Sequence, residues 1–464
     1  MLYEMDFIAS FLKYLKIFKK HENVATEHID EFRNNLLENM IKHAVKKSGF
    51  YKDYYKDVDI NKNFKLEDLP IMNKKVFVEN FDSIITKKNI KYRDLGKYFE
   101  RTFHFDNRYL DKYLAFHTSG STGNPSYVLW GPEEFGKATA AYFYKLSKLH
   151  SNSVSIVNLK NKIKVAYIGI LNDYVGGNSW AYAMRYLCNL KMISAFQPID
   201  SICDELNEFQ PDIIMTKPTI LGQLARKQRD KKLRIKPNKI IYAGEMIQPG
   251  DQNDIKKYFL VNPYNSYSTC ETGPVAIQMS NEDGLDIYNE MVYVELLDEN
   301  NKPIKEYNKV GKIVITNLYN KTVPIIRYDI GDSAYFINDN AKMEFSQLSN
   351  IIGRTTSFFN FYTKSGDKVK VPEFPFWAIY EKGITRYQVQ QESNCKLILK
   401  LEWDNTFYKC TDIEKEKCRK SIINKVCKII ESYSADIYLN IVTEDVKKIL
   451  PNKSGKIKIT QPLK

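Results

Sequence analysis

Between residues 133 and 260, apolar runs of strand length alternate with amphipathic runs of helix length, and this alternation narrows the fold further than any other stretch. The spacing predicts a helix over 133–150, strands over 163–170 and 191–196, a helix over 201–209, a strand over 212–216, a helix over 219–230, a strand over 238–243 and a helix over 251–260. Strands and helices in that order favour crossover units and largely parallel sheets. From about 287 the pattern changes. Tyr-, Val- and Ile-rich strands over 287–297 and 310–318 are broken by the turn Asp298-Glu299-Asn300-Asn301, which suits a smaller, more antiparallel, barrel-like subdomain. Beyond about 355, strands at 386–392 and 396–403 precede a helix at 412–433 with Ile413, Ile422, Ile423, Val426 and Ile430 inward, then a strand at 436–443. That order makes a small α+β domain. At the other end Ile29, Phe32, Leu36, Leu37, Met40, Ile41, Ala44 and Val45 recur at helical spacing, and Ser48-Gly49 ends the run. With 464 residues, two or three units are expected, in an α/β class.

Chemistry concentrates first in His117-Thr118-Ser119-Gly120-Ser121-Thr122-Gly123-Asn124-Pro125-Ser126, directly after the apolar Tyr113-Leu114-Ala115-Phe116. A strand running into such a loop suits phosphate, because glycines let the backbone approach and hydroxyl and amide groups supply donors. It is neither a Walker loop, lacking Gly-Lys-Ser/Thr at the required spacing, nor Gly-x-Gly-x-x-Gly. Taken alone it also reads as a Ser/Gly-rich surface turn.

The net charge of +13 raises nucleic acid or a membrane surface as partners. The lysines are scattered among many Asp and Glu, however, and no compact basic run interleaves with stacking aromatics, so no nucleic-acid partner is expected. A solvated surface with some attraction for an anionic substrate fits better. Cys188, Cys203, Cys270, Cys395, Cys410, Cys418 and Cys427 form no Cys-x-x-Cys pair and no zinc spacing with the six His, which reads as reduced thiols in the cytoplasm. Residues 1–20 lack a basic leader and an uninterrupted apolar core, and no window is long enough to span a bilayer. They read as an amphipathic helix lying on the protein.

The Thr-Ser-Gly-Ser-Thr-Gly-x-Pro loop resembles the nucleotide loop of the adenylate-forming superfamily: acyl- and aryl-CoA synthetases, peptide-synthetase adenylation domains and luciferases. Four later segments follow in that family's order. Asn265-Ser266-Tyr267-Ser268-Thr269-Cys270-Glu271 resembles its Asn-x-Tyr-Gly-x-Thr-Glu element, with Ser268 for Gly and Cys270 for Thr. Pro324-Ile325-Ile326-Arg327-Tyr328-Asp329-Ile330-Gly331-Asp332 is close to Pro-x-x-Arg-Tyr-x-x-Gly-Asp. Ile352-Gly353-Arg354 resembles the hinge Gly-Arg, here followed by Thr355-Thr356-Ser357 rather than Asp, and Ser454-Gly455-Lys456 resembles the late mobile lysine. Tyr242-Ala243-Gly244-Glu245 is similar to the adenine-flanking turn, though Gly-Glu after a strand is usually only a turn. The small hydroxyl residue Ser126, where many members carry Lys, and the Phe50–Tyr55 and Leu66–Lys74 segments point to the phenylacetate-CoA ligase-like branch.

This resemblance implies a large N-terminal domain over 1–353, opening on a helical segment over 1–75, and a small mobile domain over 354–464. It implies an enzyme that joins a carboxylic acid to ATP as an acyl-adenylate and passes the acyl group to a thiol. Thr118, Ser119, Gly120, Ser121, Thr122 and Gly123 would cradle the β- and γ-phosphates. Ala243, Gly244, Glu245 and Asn265 would flank the adenine, Tyr267 would lie against its ring, and Cys270 would stand beside the α-phosphate. Glu271 would help hold Mg²⁺, Asp332 would accept from the ribose hydroxyls, and Arg354 would reach ribose or phosphate. Lys456 would bridge carboxylate and α-phosphate. Coenzyme A is the implied acceptor, with a phosphopantetheinyl carrier protein or an amine as rivals, and relatives imply a homodimer. Tyr174, Gly176, Gly177 and Trp180 are candidates for the wall of an acyl pocket, although core packing explains them equally well. For Arg327 and Asp329 the plainer reading is a pair with each other on the surface. A scaffold that keeps this fold without turnover is the reading from a different class.

Overall fold

The computed structural model describes residues 2–21, 26–62, 64–101, 103–118, 124–148, 162–171, 174, 176–279, 284–337, 346–354, 358–404, 411–450 and 458–463. The helices run in chain order as α1 (Leu2–His21), α2 (Thr26–Lys47), α3 (Gly49–Tyr54), α4 (Lys74–Glu79), α5 (Phe81–Ile84), α6 (Tyr92–Phe99), α7 (Pro132–Lys148), α8 (Gly176–Ala183), α9 (Ile199–Phe209), α10 (Pro218–Arg229), α11 (Pro249–Phe259) and α12 (Asp412–Glu431). The strands begin with β1 (Leu114–His117), β2 (Tyr127–Trp130), β3 (Lys164–Gly169), β4 (Asn189–Ser194), β5 (Ile213–Thr216), β6 (Lys239–Ala243), β7 (Pro263–Thr269), β8 (Gly273–Ile277), β9 (Leu285–Ile287) and β10 (Val292–Leu297). They continue as β11 (Gly311–Asn317), β12 (Tyr328–Ala334), β13 (Gln347–Leu348), β14 (Gly353–Arg354), β15 (Phe358–Tyr362), β16 (Lys368–Pro372), β17 (Ile384–Ser393), β18 (Lys396–Trp403), β19 (Asn440–Val446) and β20 (Thr460–Gln461). Two compact units result. One comprises Met1–Phe196, Pro211–Ile213 and Tyr264–Ile352; the other comprises Gln197–Gln210, Ile214–Pro263 and Gly353–Lys464.

In the first unit, β3 and β4 pair in parallel, as the strand–helix alternation requires. The change to antiparallel pairing comes earlier than the sequence pattern suggests, already at β7 and β8 rather than at about 287. Strands β7, β8, β9 and β13 form an antiparallel run, and β10, β11 and β12 a second one, with a register shift between Lys312 and Val314. The apolar stripe of α2 buries Leu37, Met40, Ile41 and Ala44 in one core with Tyr51, Leu69, Met72 and Phe77. Helix α1 lies on α7 through aromatic contacts of Phe7 with Phe135, Phe11 with Phe143 and Phe18 with Tyr144. Gly136 permits that approach, since a Cβ there would come within 2.6 Å of the Phe7 carbonyl oxygen.

The second unit contains a sheet in which β17 and β18 are antiparallel while β19 and β20 add in parallel at its edges. Helix α12 opens with a capping box, Thr411 accepting from the Glu414 amide and Glu414 from the Thr411 amide. It buries Ile422, Val426 and Ile430 against Leu397, Leu399 and Leu401. Ile413 departs from the sequence expectation: it is 70% exposed. Nine residues separate it from Ile422, about half a turn beyond two full turns at 3.6 residues per turn, so the two point in opposite directions. Asp251 is buried here between Arg226 (2.8 Å) and Arg386 (3.6 Å), and Arg386 also donates to the Thr219 carbonyl at 2.7 Å. Gly222 makes room for that carboxylate, because a Cβ would stand 1.9 Å from its Oδ1.

Candidate active site

Glu271 sits at the tip of the turn joining β7 to β8, where Thr269 pairs with Gly273. The hydroxyls of Thr269 and Thr272 bond each other at 2.8 Å, and Thr269 Oγ1 also accepts from the Thr272 amide at 3.1 Å, which closes the turn from inside. Gly273 is required twice over: its φ is +79°, and a Cβ would meet the Trp180 ring at 2.6 Å. The turn therefore presents Cys270 and Glu271, both half-buried, in a fixed direction.

Strand β12 supplies the partners. Tyr328 Oη donates to Glu271 Oε1 at 3.3 Å, and four residues on, Asp332 Oδ2 accepts from Tyr267 Oη at 2.7 Å. Burial pushes the Glu271 carboxyl above the usual carboxylate range; its hydrogen bonds and the Lys74 ammonium oppose the rise, and the Asp332 charge adds to it. Two carboxylates close enough to repel, each bonded by a phenol, favour a positive ion between or beside them. Among the described residues no cluster of three or more His, Cys, Asp or Glu could cage a metal. The donor set instead fits a hard cation bound by one or two carboxylates together with substrate phosphate, which is the habit of Mg²⁺.

The hydroxyl loop joins β1 to β2 as the connection of an antiparallel hairpin. Its root is pinched shut: the Thr118 amide donates to the Ser126 carbonyl at 3.0 Å, and the Ser126 amide donates to Thr118 Oγ1 at 2.9 Å. Tyr92 at the start of α6 holds the Pro125 carbonyl at 2.7 Å. Ser126 is fully buried beside Tyr328, so the loop root and the Glu271 carboxylate meet on the same phenol. Ser119, Gly120, Ser121, Thr122 and Gly123 lie outside the described residues, as does Lys456.

The N-terminal helical segment, to which the sequence reading assigned no chemistry, builds one side of this site. Met72 pairs with Tyr328, accepting from the Asp329 amide at 2.8 Å and donating to the Arg327 carbonyl at 2.9 Å. That bridge brings the Lys74 ammonium within electrostatic reach of Glu271. The sequence signal was present in Pro70-Ile71-Met72-Asn73-Lys74, but nothing local says which carboxylate the lysine meets. Arg327 corrects another expectation. It does not pair with Asp329 on the surface; it is buried, φ +45°, and grips Glu295 with Nη2 at 2.8 Å and Nε at 3.1 Å. Its Nη1 donates to the carbonyls of Glu67 and Leu69, while Asp329 faces Lys312 at 3.5 Å. Arg327 thus clamps the N-terminal segment onto β12.

The remaining candidates fall in several places. Asn265 is buried and donates to Asn350 Oδ1 at 3.0 Å. Trp180 packs among Trp130, Phe135 and Tyr142. Tyr174 is buried against Tyr98, Phe99 and Phe103 with its hydroxyl accepting from Asn107 at 3.1 Å. Gly176 faces the Phe116 ring and Gly177 the Tyr167 hydroxyl. In the second unit, Ala243 ends β6, Gly244 takes φ +81° in the open, and Glu245 is drawn in by the Thr219 hydroxyl and by Lys217 at 3.9 Å. The backbone of Arg354 belongs to the two-residue strand β14 in the same unit.

No family model matches the chain. It is 25% identical to Protein CapK of Staphylococcus aureus over 350 residues, which span 71% of this chain and 68% of that protein. It is 26% identical to the phenylacetate-coenzyme A ligase of Pseudomonas putida over 206 residues, 42% of this chain and 45% of the ligase. Among solved structures, 2-hydroxyisobutyryl-CoA ligase in the postadenylation state in complex with 2-HIB-AMP matches with a TM-score of 0.72 at 16% identity, covering 94% of this chain and 90% of the other. The fold is shared over nearly the whole length.

Proposed function

We propose, from the premise that this chain belongs to the adenylate-forming ligase superfamily, that it activates a small-molecule carboxylic acid with ATP and transfers the acyl group to a thiol, most simply coenzyme A. The observation that carries this reading is the meeting of Glu271, Asp332 and the hydroxyl-loop root around Tyr328 and Tyr267. A carboxylate is a poor electrophile because its charge repels nucleophiles. Attack of its oxygen on the α-phosphorus of ATP forms a C–O–P linkage and breaks the bond to pyrophosphate, and the resulting mixed anhydride is open to a thiol.

In this chain the hydroxyl loop would receive the β- and γ-phosphates, and Asp332 would accept from the ribose hydroxyls while Tyr267 orients it. Asn265 would offer its carbonyl oxygen to the adenine amino group. Glu271 would hold Mg²⁺ together with phosphate; the ion would neutralise charge on the leaving pyrophosphate. Lys74, whose charge acts on Glu271, would supply a cation to this site, in which Ser126 stands in place of the loop lysine of many relatives. Lys456, on the C-terminal domain proposed over 354–464, would follow charge developing between the carboxylate and the α-phosphate as a mobile point cation. A carrier-protein thiol or an amine is the alternative acceptor.

ATP–pyrophosphate exchange over a panel of aryl, branched and linear carboxylic acids tests the first step. Exchange with one class of acid is expected, and none with any acid would leave a non-catalytic scaffold. Product analysis with coenzyme A present then separates the acceptors.

A further inference from the structure

The Tyr328 hydroxyl has work that packing does not explain. The ring is 2% exposed and meets Phe77 edge-on at 5.8 Å, contacts that a phenylalanine would make equally well. Its oxygen, however, stands between two groups of the candidate site. On one side is Glu271 Oε1 at 3.3 Å. On the other is the Ser126 hydroxyl, fully buried and with no hydrogen bond of ordinary geometry, at the root of the hydroxyl loop. A phenol has one proton to donate and an oxygen that can accept. Donating to Glu271 leaves that oxygen facing the serine, and leaves Glu271 Oε2 free of the phenol's claim.

The backbone holds the phenol in place. Tyr328 pairs with Met72 on one edge and Ile315 on the other, and its neighbour Arg327 is clamped by Glu295. Glu271, by contrast, hangs from a three-residue turn tip. The turn fixes its backbone but not its side-chain torsions, which populate several rotamers, and a fixed donor on one oxygen selects among them. Groups that bond a metal-ligating carboxylate orient it and typically carry a 10–100-fold effect on metal affinity.

We propose that Tyr328 is a positioning residue for Glu271, presenting the carboxylate to the divalent ion of the ATP complex and tying that presentation to the root of the hydroxyl loop. This rests on the ATP-dependent reading above and adds a residue to it. The role is distinct from that of Arg327, one position earlier, which is structural.

The test uses the full-length protein with Mn²⁺ and a non-hydrolysable ATP analogue, with bound Mn²⁺ read by electron paramagnetic resonance. Tyr328→Phe keeps the contact with Phe77 and removes the donor. The expected result is about tenfold weaker Mn²⁺ binding in the nucleotide complex, unchanged affinity for the nucleotide without metal, and an unchanged melting temperature. Placing p-aminophenylalanine at 328 restores a donor and is expected to recover most of the loss; it also serves should the phenylalanine variant fold poorly, since p-fluorophenylalanine then provides the matched donor-free partner. Unchanged Mn²⁺ affinity in a folded donor-free variant overturns the positioning role alone. Failure of the unaltered protein to bind Mn²⁺ with nucleotide overturns the ATP reading as well.

Discussion

Two polar clusters share strand β12 and its approach, and they are built on opposite rules. Around Arg327, opposite charges are paired inside the protein: the guanidinium is 2% exposed, its Glu295 partner 8%, and the remaining donors end on the carbonyls of Glu67 and Leu69. One residue further on, the rule reverses. Glu271 and Asp332 carry like charge, meet phenol hydroxyls and stay half-exposed. Coordination that is complete makes a fastener. Two like charges brought together and bonded by phenols make a place for a cation and its phosphate.

The largest effect should come from breaking the fastener. Arg327→Met leaves Glu295 buried without its partner and is expected to cost about 3–5 kcal/mol in urea unfolding. Adding Glu295→Leu should return much of that, because both charges are then gone; if the double variant is as unstable as the single one, the pair is not the source. At the second cluster the expectation inverts. Glu271→Gln should leave unfolding unchanged or slightly stabilised, since it relieves repulsion from Asp332, while pyrophosphate exchange falls at least about a hundredfold. A variant that loses stability instead would place Glu271 among the structural groups.

The Asp251 cluster of the second unit extends the comparison, because it too pairs opposite charges in the interior. Gly222→Ala forces a methyl group onto Asp251 and should cost about 1–3 kcal/mol, seen as a shifted urea midpoint; indifference would mean the carboxylate can move aside. Glu134 gives the finest distinction. It accepts from the Gly131 amide at 3.0 Å and from the Thr322 hydroxyl at 2.9 Å, and burial raises its pKa while these bonds oppose the rise. Between its ordinary value and the raised one, the folded protein holds more protons than the unfolded chain, so stability falls as pH rises through that window. Glu134→Gln should remove this contribution, and the difference in stability between variant and parent should widen towards neutral pH. Parallel pH profiles would contradict the assignment.

Much of the fold was legible because periodicity is a local property. The helix predicted at 219–230 lies at Pro218–Arg229, and the strand predicted at 396–403 lies at Lys396–Trp403. Ile413 was misplaced because inclusion in an apolar set ignored its phase on the helix. Glu271 and Asp332 were readable as candidates from their motifs, and Tyr267 as well. Lys74 and Tyr328 were not, since their significance depends on which residues stand opposite them. Arg327 shows the same limit: its sequence neighbour Asp329 was the obvious partner, and the fold supplied Glu295 instead.

The sequence alone determined where strands and helices alternate and that a hydroxyl-rich loop follows an apolar strand, because each depends on residues within one or two turns of one another. Tertiary structure alone decided that Met72 would bridge to Tyr328, bringing the Lys74 ammonium within electrostatic reach of Glu271, and that Arg327 would be buried. Met72 meets Tyr328, and Arg327 meets the carbonyls of Glu67 and Leu69, across more than 250 positions of chain; the entropy cost of such closures is offset only when the whole unit closes, and no short window of sequence contains them.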